Sequence, residues 1–123
     1  MSKRILVVED QPDNRRILRD LLTSAGYQII QAEDGEAALA AVARDRPDLI
    51  LMDIQLPLLD GYEVTRRIKA DPALRAIPII VVTSYALSGD ENKARAAGCD
   101  AYVTKPYSPR ELLGLIRDLA PES

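Results

Sequence analysis

The sequence has no histidine, tryptophan or phenylalanine, and one cysteine, Cys99. Without histidine the chain lacks the commonest general acid–base residue, the usual zinc ligand and every Ser–His or Cys–His nucleophile pair. A single cysteine excludes an internal disulfide and any cysteine-rich metal site, and Cys99 reads as a small buried hydrophobe. Chemistry here must run on carboxylates, hydroxyls and lysine. Charge is also without strong bias: 16 Lys and Arg against 19 Asp and Glu leave a formal net charge of −3. No basic field draws in a phosphate backbone, so proteins rather than nucleic acid are the expected partners. No apolar run approaches the length that spans a bilayer, and no charged start leads into an apolar stretch and cleavage site. The expectation is a cytoplasmic protein without membrane association.

What is present reads as one folded unit. The 123 residues, 47% hydrophobic and 28% charged, suffice for one core and not for two. Short apolar runs, 3–9, 27–32, 48–53, 77–84 and 101–105, alternate with helical patterns over 10–26, 33–46, 61–71, 88–100 and 108–120. In the first helix Ile17, Leu18, Leu21, Leu22 and Ala25 fall on one face, after start signals at Asp10, Pro12 and Asp13. In the third, Val64 and Ile68 point inward. The fourth offers mainly alanines to bury and is expected to be the weakest. Five strand–helix units with short connections predict an α/β fold: a doubly wound, five-stranded parallel sheet of order 2-1-3-4-5 with five helices.

That order brings scattered residues together. The chain reverses direction between strands one and three, and a crevice opens beyond their carboxyl ends. Strand one runs out at Glu9 and Asp10, strand three at Asp53. Like charges about 4 Å apart cost on the order of 4 kcal/mol per pair at an effective dielectric of 20, so the cluster needs a cation or a proton. With only oxygen ligands at hand, the natural ion is Mg²⁺. Thr83 and Lys105 close the next two strands; a hydroxyl and an ammonium opposite a metal-bound carboxylate make a clamp for phosphoryl oxygens, with the carboxylate as nucleophile. Taken singly, Glu9 and Asp10 read equally well as solvated caps, Asp53 as a turn former, Thr83 as a strand residue and Lys105 as a surface lysine.

The motifs "VVED", "LILMDIQLP", "DG" at 60 and 61, "VVTS" and "AYVTKP" occur in order at strand ends, and with them the whole chain resembles the receiver domain of two-component response regulators. The resemblance implies a flavodoxin-like, CheY-like fold in which Asp53 accepts phosphate from a phosphohistidine of a histidine kinase or histidine phosphotransfer protein. It implies that Glu9, Asp10, Asp53 and the main-chain carbonyl of Gln55 hold Mg²⁺, that Lys105 pairs with the phosphate, and that the Lys105–Pro106 bond is cis. Thr83 and Tyr102 would form a switch that remodels the helix four, strand five and helix five face for a downstream protein target. Tyr102 reads otherwise as a packing residue, and Arg15, Arg16 and Arg19 as a solvated face or a docking surface for the donor. Tyr85 would shield the acyl phosphate from water.

Residues 1–123 leave no room for an output domain, so a stand-alone receiver is expected, catalysing only its own phosphorylation and slow dephosphorylation. The wording is similar to the DivK type of bacterial regulator; an adaptor and a phosphorelay intermediate both fit. A haloacid-dehalogenase phosphatase would want an acid where Gln55 stands. An FMN carrier would want Gly, Ser and Thr in place of "EDQPDN". A non-phosphorylated pseudo-receiver would normally have lost Asp53, Lys105 or one of the acid pair, and this chain retains all of them.

Overall fold

The computed structural model describes residues 3–57, 59–83 and 90–120. Its elements run β1 (Arg4–Val8), α1 (Pro12–Ser24), β2 (Gln28–Ala32), α2 (Gly35–Asp45), β3 (Leu49–Asp53), α3 (Gly61–Ala70), β4 (Ile79–Thr83), α4 (Asp90–Ala97), β5 (Ala101–Thr104) and α5 (Pro109–Leu119). All strand pairs are parallel and the order is β2-β1-β3-β4-β5, as the alternation predicts. The strands are near-continuous apolar runs because helices cover both faces.

Strand alternation sorts the core into two layers. Leu6 and Val8, Ile50 and Met52, and Ile79 and Val81 meet α2, α3 and α4 on one face. Ile5 and Val7, Leu49 and Leu51, and Ile80 and Val82 meet α1 and α5 on the other. The helices contribute unequally. Val64 and Ile68 of α3 are wholly buried, a stabilisation of roughly 4 kcal/mol between them. In α4 the buried side chains are Ala94 and Ala97, two methyls that contribute roughly 1–2 kcal/mol. Helix α4 ends at Ala97, short of the expected Asp100, because Gly98 takes a positive φ of 108° and turns the chain. Residues 88 and 89 of that expected helix, and Tyr85, lie outside the described residues. The turn after Gly98 is stapled: Lys69 Nζ donates to Asp100 Oδ2 (2.9 Å) and to the carbonyls of Arg75 and Ile77, and the same carboxylate oxygen accepts from Ile79 N at 2.8 Å.

Helix α1 departs from expectation in two ways. Its N-cap is Gln11, with no side-chain cap, rather than Asp10. Ile17, expected on the inner face, is 60% exposed, and Ala25 is exposed too, because the stripe that meets the sheet is taken by Leu18 and Leu22, with Leu21 half-buried beside them.

Glycine fixes one contact that matters for the site. A Cβ on Gly61 would sit 2.3 Å from the Asp53 carbonyl oxygen and 2.8 Å from Ile54 Cα, so the start of α3 rests directly on the end of β3. Gly114, inside α5, has open space around it. In urea unfolding, Gly61→Ala should lower stability by about 1–3 kcal/mol through overpacking, while Gly114→Ala should raise it by about 0.5–1 kcal/mol through helix propensity. Equal effects would contradict the close approach.

Candidate functional site

Three strand ends build the site. Glu9 follows the last residue of β1, and its N–H still bonds the Ala32 carbonyl at 3.1 Å, continuing the ladder with β2. Asp53 is the final residue of β3, paired in register with Val82. Lys105 follows β5, its N–H donating to the Thr83 carbonyl at 2.7 Å. Glu9, Asp53 and Lys105 continue the alternation that puts Val7, Leu51 and Val103 on the α1–α5 face, and they converge there beside Leu18 and Val82. The Lys105–Pro106 peptide is cis, as expected.

The convergence is tight. Single carboxylate oxygens of Glu9, Asp10 and Asp53 lie within 4.8 Å of one another. Lys105 Nζ is 3.0 Å from Glu9 Oε1 and 4.0 Å from Asp53 Oδ2. Asp53 Oδ1 accepts from the Gln55 N–H at 3.0 Å, so the residue after the nucleophile candidate's own turn orients it. Glu9 and Asp53 are buried, whereas Asp10 is half-exposed.

Burial and crowding set the protonation. Burial, together with the Glu9 carboxylate beside it, pushes Asp53 up to about 7, against the opposing Gln55 N–H and Lys105. For Glu9 burial pulls upward as well, but its contacts with Asp53 and Lys105 outweigh it and hold the group below its ordinary value. Glu9 Oε2 is buried and finds no hydrogen-bond donor among the described residues. A proton carried on Asp53, or a cation, satisfies it. Three converging carboxylates with an orphaned oxygen and no nitrogen or sulfur ligand fit a hard divalent ion such as Mg²⁺.

The remaining sequence candidates fall on the opposite layer. Thr83 ends β4, wholly buried, in register with Thr104, and Tyr102 is in register with Val81. Thr83 and Tyr102 therefore stand diagonally on the α2–α3–α4 face, where Tyr102 packs against that core. Gln55 is exposed at the crevice mouth. Two residues carry more than sequence reasoning assigned to them. Gly61, noted as half of a "DG" pair, is the seat of α3 on Asp53. Arg15, grouped with Arg16 and Arg19 as solvent-facing, is half-buried and donates from Nη1 to the Glu9 carbonyl at 2.9 Å. Arg16 and Arg19 pair on the surface with Asp13 and Asp20.

The family profile described as response regulator receiver domain matches residues 5–117. The polar-differentiation response regulator DivK of Brucella anthropi is 45% identical over 117 residues, which are 95% of this chain and 95% of that protein. The receiver domain of sensor histidine kinase PA1611 from Pseudomonas aeruginosa, solved with a magnesium ion coordinated in its active-site cleft, superposes with a TM-score of 0.91 at 38% identity, covering 99% of this chain and 100% of that one. The Vibrio cholerae chemotaxis protein CheY4 superposes with a TM-score of 0.90 at 26% identity, covering 97% and 99%.

Because Asp53 binds its proton more tightly folded than unfolded, its contribution to stability is full below its ordinary value near 3.8 and is lost as pH rises through about 7. In EDTA, Asp53→Asn should therefore be more stable than wild type, and the gap should widen between pH 5 and 8 to about 1–3 kcal/mol. Thermal melts across that range check this; a gap that is flat or shrinks with pH would refute it.

Proposed function

The chain belongs to the response regulator receiver family, and on that footing we propose that it is a cytoplasmic receiver whose Asp53 takes a phosphoryl group from a phosphohistidine on a histidine kinase or histidine phosphotransfer protein. The observation that carries this is the meeting of Glu9, Asp10 and Asp53, with carboxylate oxygens within 4.8 Å of one another, and of Lys105, whose Nζ is 3.0 Å from Glu9 and 4.0 Å from Asp53. An Asp53 oxygen attacks phosphorus; the new O–P bond forms as the N–P bond of the phosphohistidine breaks, and the leaving imidazole takes up a proton. Glu9, Asp10, Asp53 and the Gln55 carbonyl hold Mg²⁺, which when bound supplies positive charge to the phosphoryl oxygens. Lys105, resting on Glu9, is 4.0 Å from Asp53 and turns to the phosphate once that becomes the stronger anion. Such a domain is a signalling phospho-acceptor rather than a classical enzyme.

Output follows from the second layer. Thr83 hydrogen-bonds the phosphate and Tyr102, diagonal to it, moves inward with it, remodelling the α4–β5–α5 face that a downstream protein reads. Helix α4 is suited to respond because its carboxyl end is pinned through Lys69 and Asp100 while its own buried surface is two alanines. A bias of a few kcal/mol suffices to make a minor arrangement the major one.

Input has its own surface. Exposed Ile17 and Leu18, Leu21, Pro106 and Tyr107 line a cavity of about 390 Å³ between α1 and the start of α5, with Lys105 at its edge. This apolar patch beside Asp53 is where the donor protein docks.

Incubation with acetyl phosphate and Mg²⁺, read by intact mass, should add one phosphate to wild type and none to Asp53→Ala. Labelling of neither would favour a non-phosphorylated binding module. Ile17→Glu should accept phosphate from acetyl phosphate at the wild-type rate yet from a phosphohistidine donor at least tenfold more slowly; equal transfer would remove the docking assignment. Hydrogen exchange over 90–97 should be faster than over 4–8 and should change on phosphorylation.

A further inference from the structure

Asp10 is the least anchored of the three acids. Its carboxylate makes no hydrogen bond or ion pair among the described residues, whereas Glu9 has Lys105 and Asp53 has the Gln55 N–H. Its place is therefore set by main chain alone. Between the end of β1 at Val8 and the start of α1 at Pro12, Gln11 gives no side-chain cap, its N–H bonds the Glu9 carboxylate, and Pro12 has no N–H to offer, so no side chain of this loop holds Asp10.

The Glu9 residue is gripped at both of its peptide groups. Its N–H donates to the Ala32 carbonyl at 3.1 Å, and its carbonyl accepts from Arg15 Nη1 at 2.9 Å. That carbonyl belongs to the peptide plane linking Glu9 to Asp10. Holding that carbonyl restrains ψ of Glu9 and φ of Asp10, and an uncompensated change in either would swing the two side chains relative to each other and spoil their convergence. The guanidinium is held where it can do this. Arg15 is half-buried in a cleft of about 260 Å³ with Gln31, Glu33 and Ala37, and its N–H bonds the Gln11 carbonyl at 3.0 Å in the first turn of α1. Because it bonds a carbonyl and neither carboxylate, it fixes the acids without occupying their oxygens.

We propose that Arg15 is a positioning residue for the divalent cation: it locks the Glu9–Asp10 peptide so that both acids face the ion. This rests on the reading that the acid cluster holds Mg²⁺. A group that orients metal ligands from behind is typically worth about 10- to 100-fold in metal affinity.

The test is Mg²⁺ titration by calorimetry on wild type, Arg15→Met and Arg15→Lys, with melts in EDTA alongside. Arg15→Met should weaken Mg²⁺ binding about tenfold or more, and Arg15→Lys, which keeps a cationic donor, should recover part of it. Mg²⁺ affinity within twofold of wild type in Arg15→Met overturns the proposal, as does a wild type that binds no Mg²⁺. A lower melting temperature in EDTA with unchanged affinity also overturns it, since that is a structural role only. If wild type binds Mg²⁺ and takes no phosphate while Arg15→Met still loses affinity, positioning stands and the phospho-acceptor function falls.

Discussion

Everything at the crevice depends on two buried carboxylates that the sheet forces together. β1 and β3 are neighbours in a parallel ladder, so Glu9 and Asp53, each carried on the end of its strand, arrive at the same level with nowhere to turn but toward each other. Lys105, two strands away, answers part of that charge, and a proton on Asp53 answers the rest. The site is thus under electrostatic tension that a cation bound among the carboxylates would relieve. Lys105 sits between the two acids, closer to Glu9, and can move from one to the other by little more than a side-chain rotation.

The period of two in the strands divides labour. Glu9, Asp53 and Lys105 face α1 and α5, beside the apolar cavity that Ile17 lines, while Thr83 and Tyr102 face α3 and α4. The acid cluster and the Thr83–Tyr102 pair thus stand on opposite layers of one sheet. Thr83 follows Val82, the register partner of Asp53, so the two residues are one position apart on adjacent strands. The unequal burial of the helices then matters. Helix α3 is anchored by Val64, Ile68 and the contact of Gly61 on Asp53, whereas α4 is held by alanines and by the staple at its far end.

Much of this is legible in the residues. The β-branched runs, the capping aspartates at 34 and 60, and glycines 26 and 98 just past their helices place nearly every element within a residue or two. The convergence of Glu9, Asp10, Asp53 and Lys105 follows once strand order is inferred from alternation. Ile17 misleads because helical periodicity admits a wide apolar face, and only the width of the groove between α1 and the sheet decides which residues of that face are covered. Arg15 is indistinguishable in sequence from Arg16 and Arg19. Its different role arises because position 15 lies one turn in from the loop, beneath the Glu9 carbonyl, while its neighbours point outward to Asp13 and Asp20.

Fold class and the list of acids and lysine at the strand ends are readable from hydrophobic period and chain connectivity, which are properties of neighbours in the chain; the strand order rests on the common doubly wound arrangement. Tertiary structure alone decided which apolar residue stays exposed, which arginine turns inward and which carboxylate keeps its proton. Those are set by distances between groups far apart in the chain, where a shift of an ångström changes a partner.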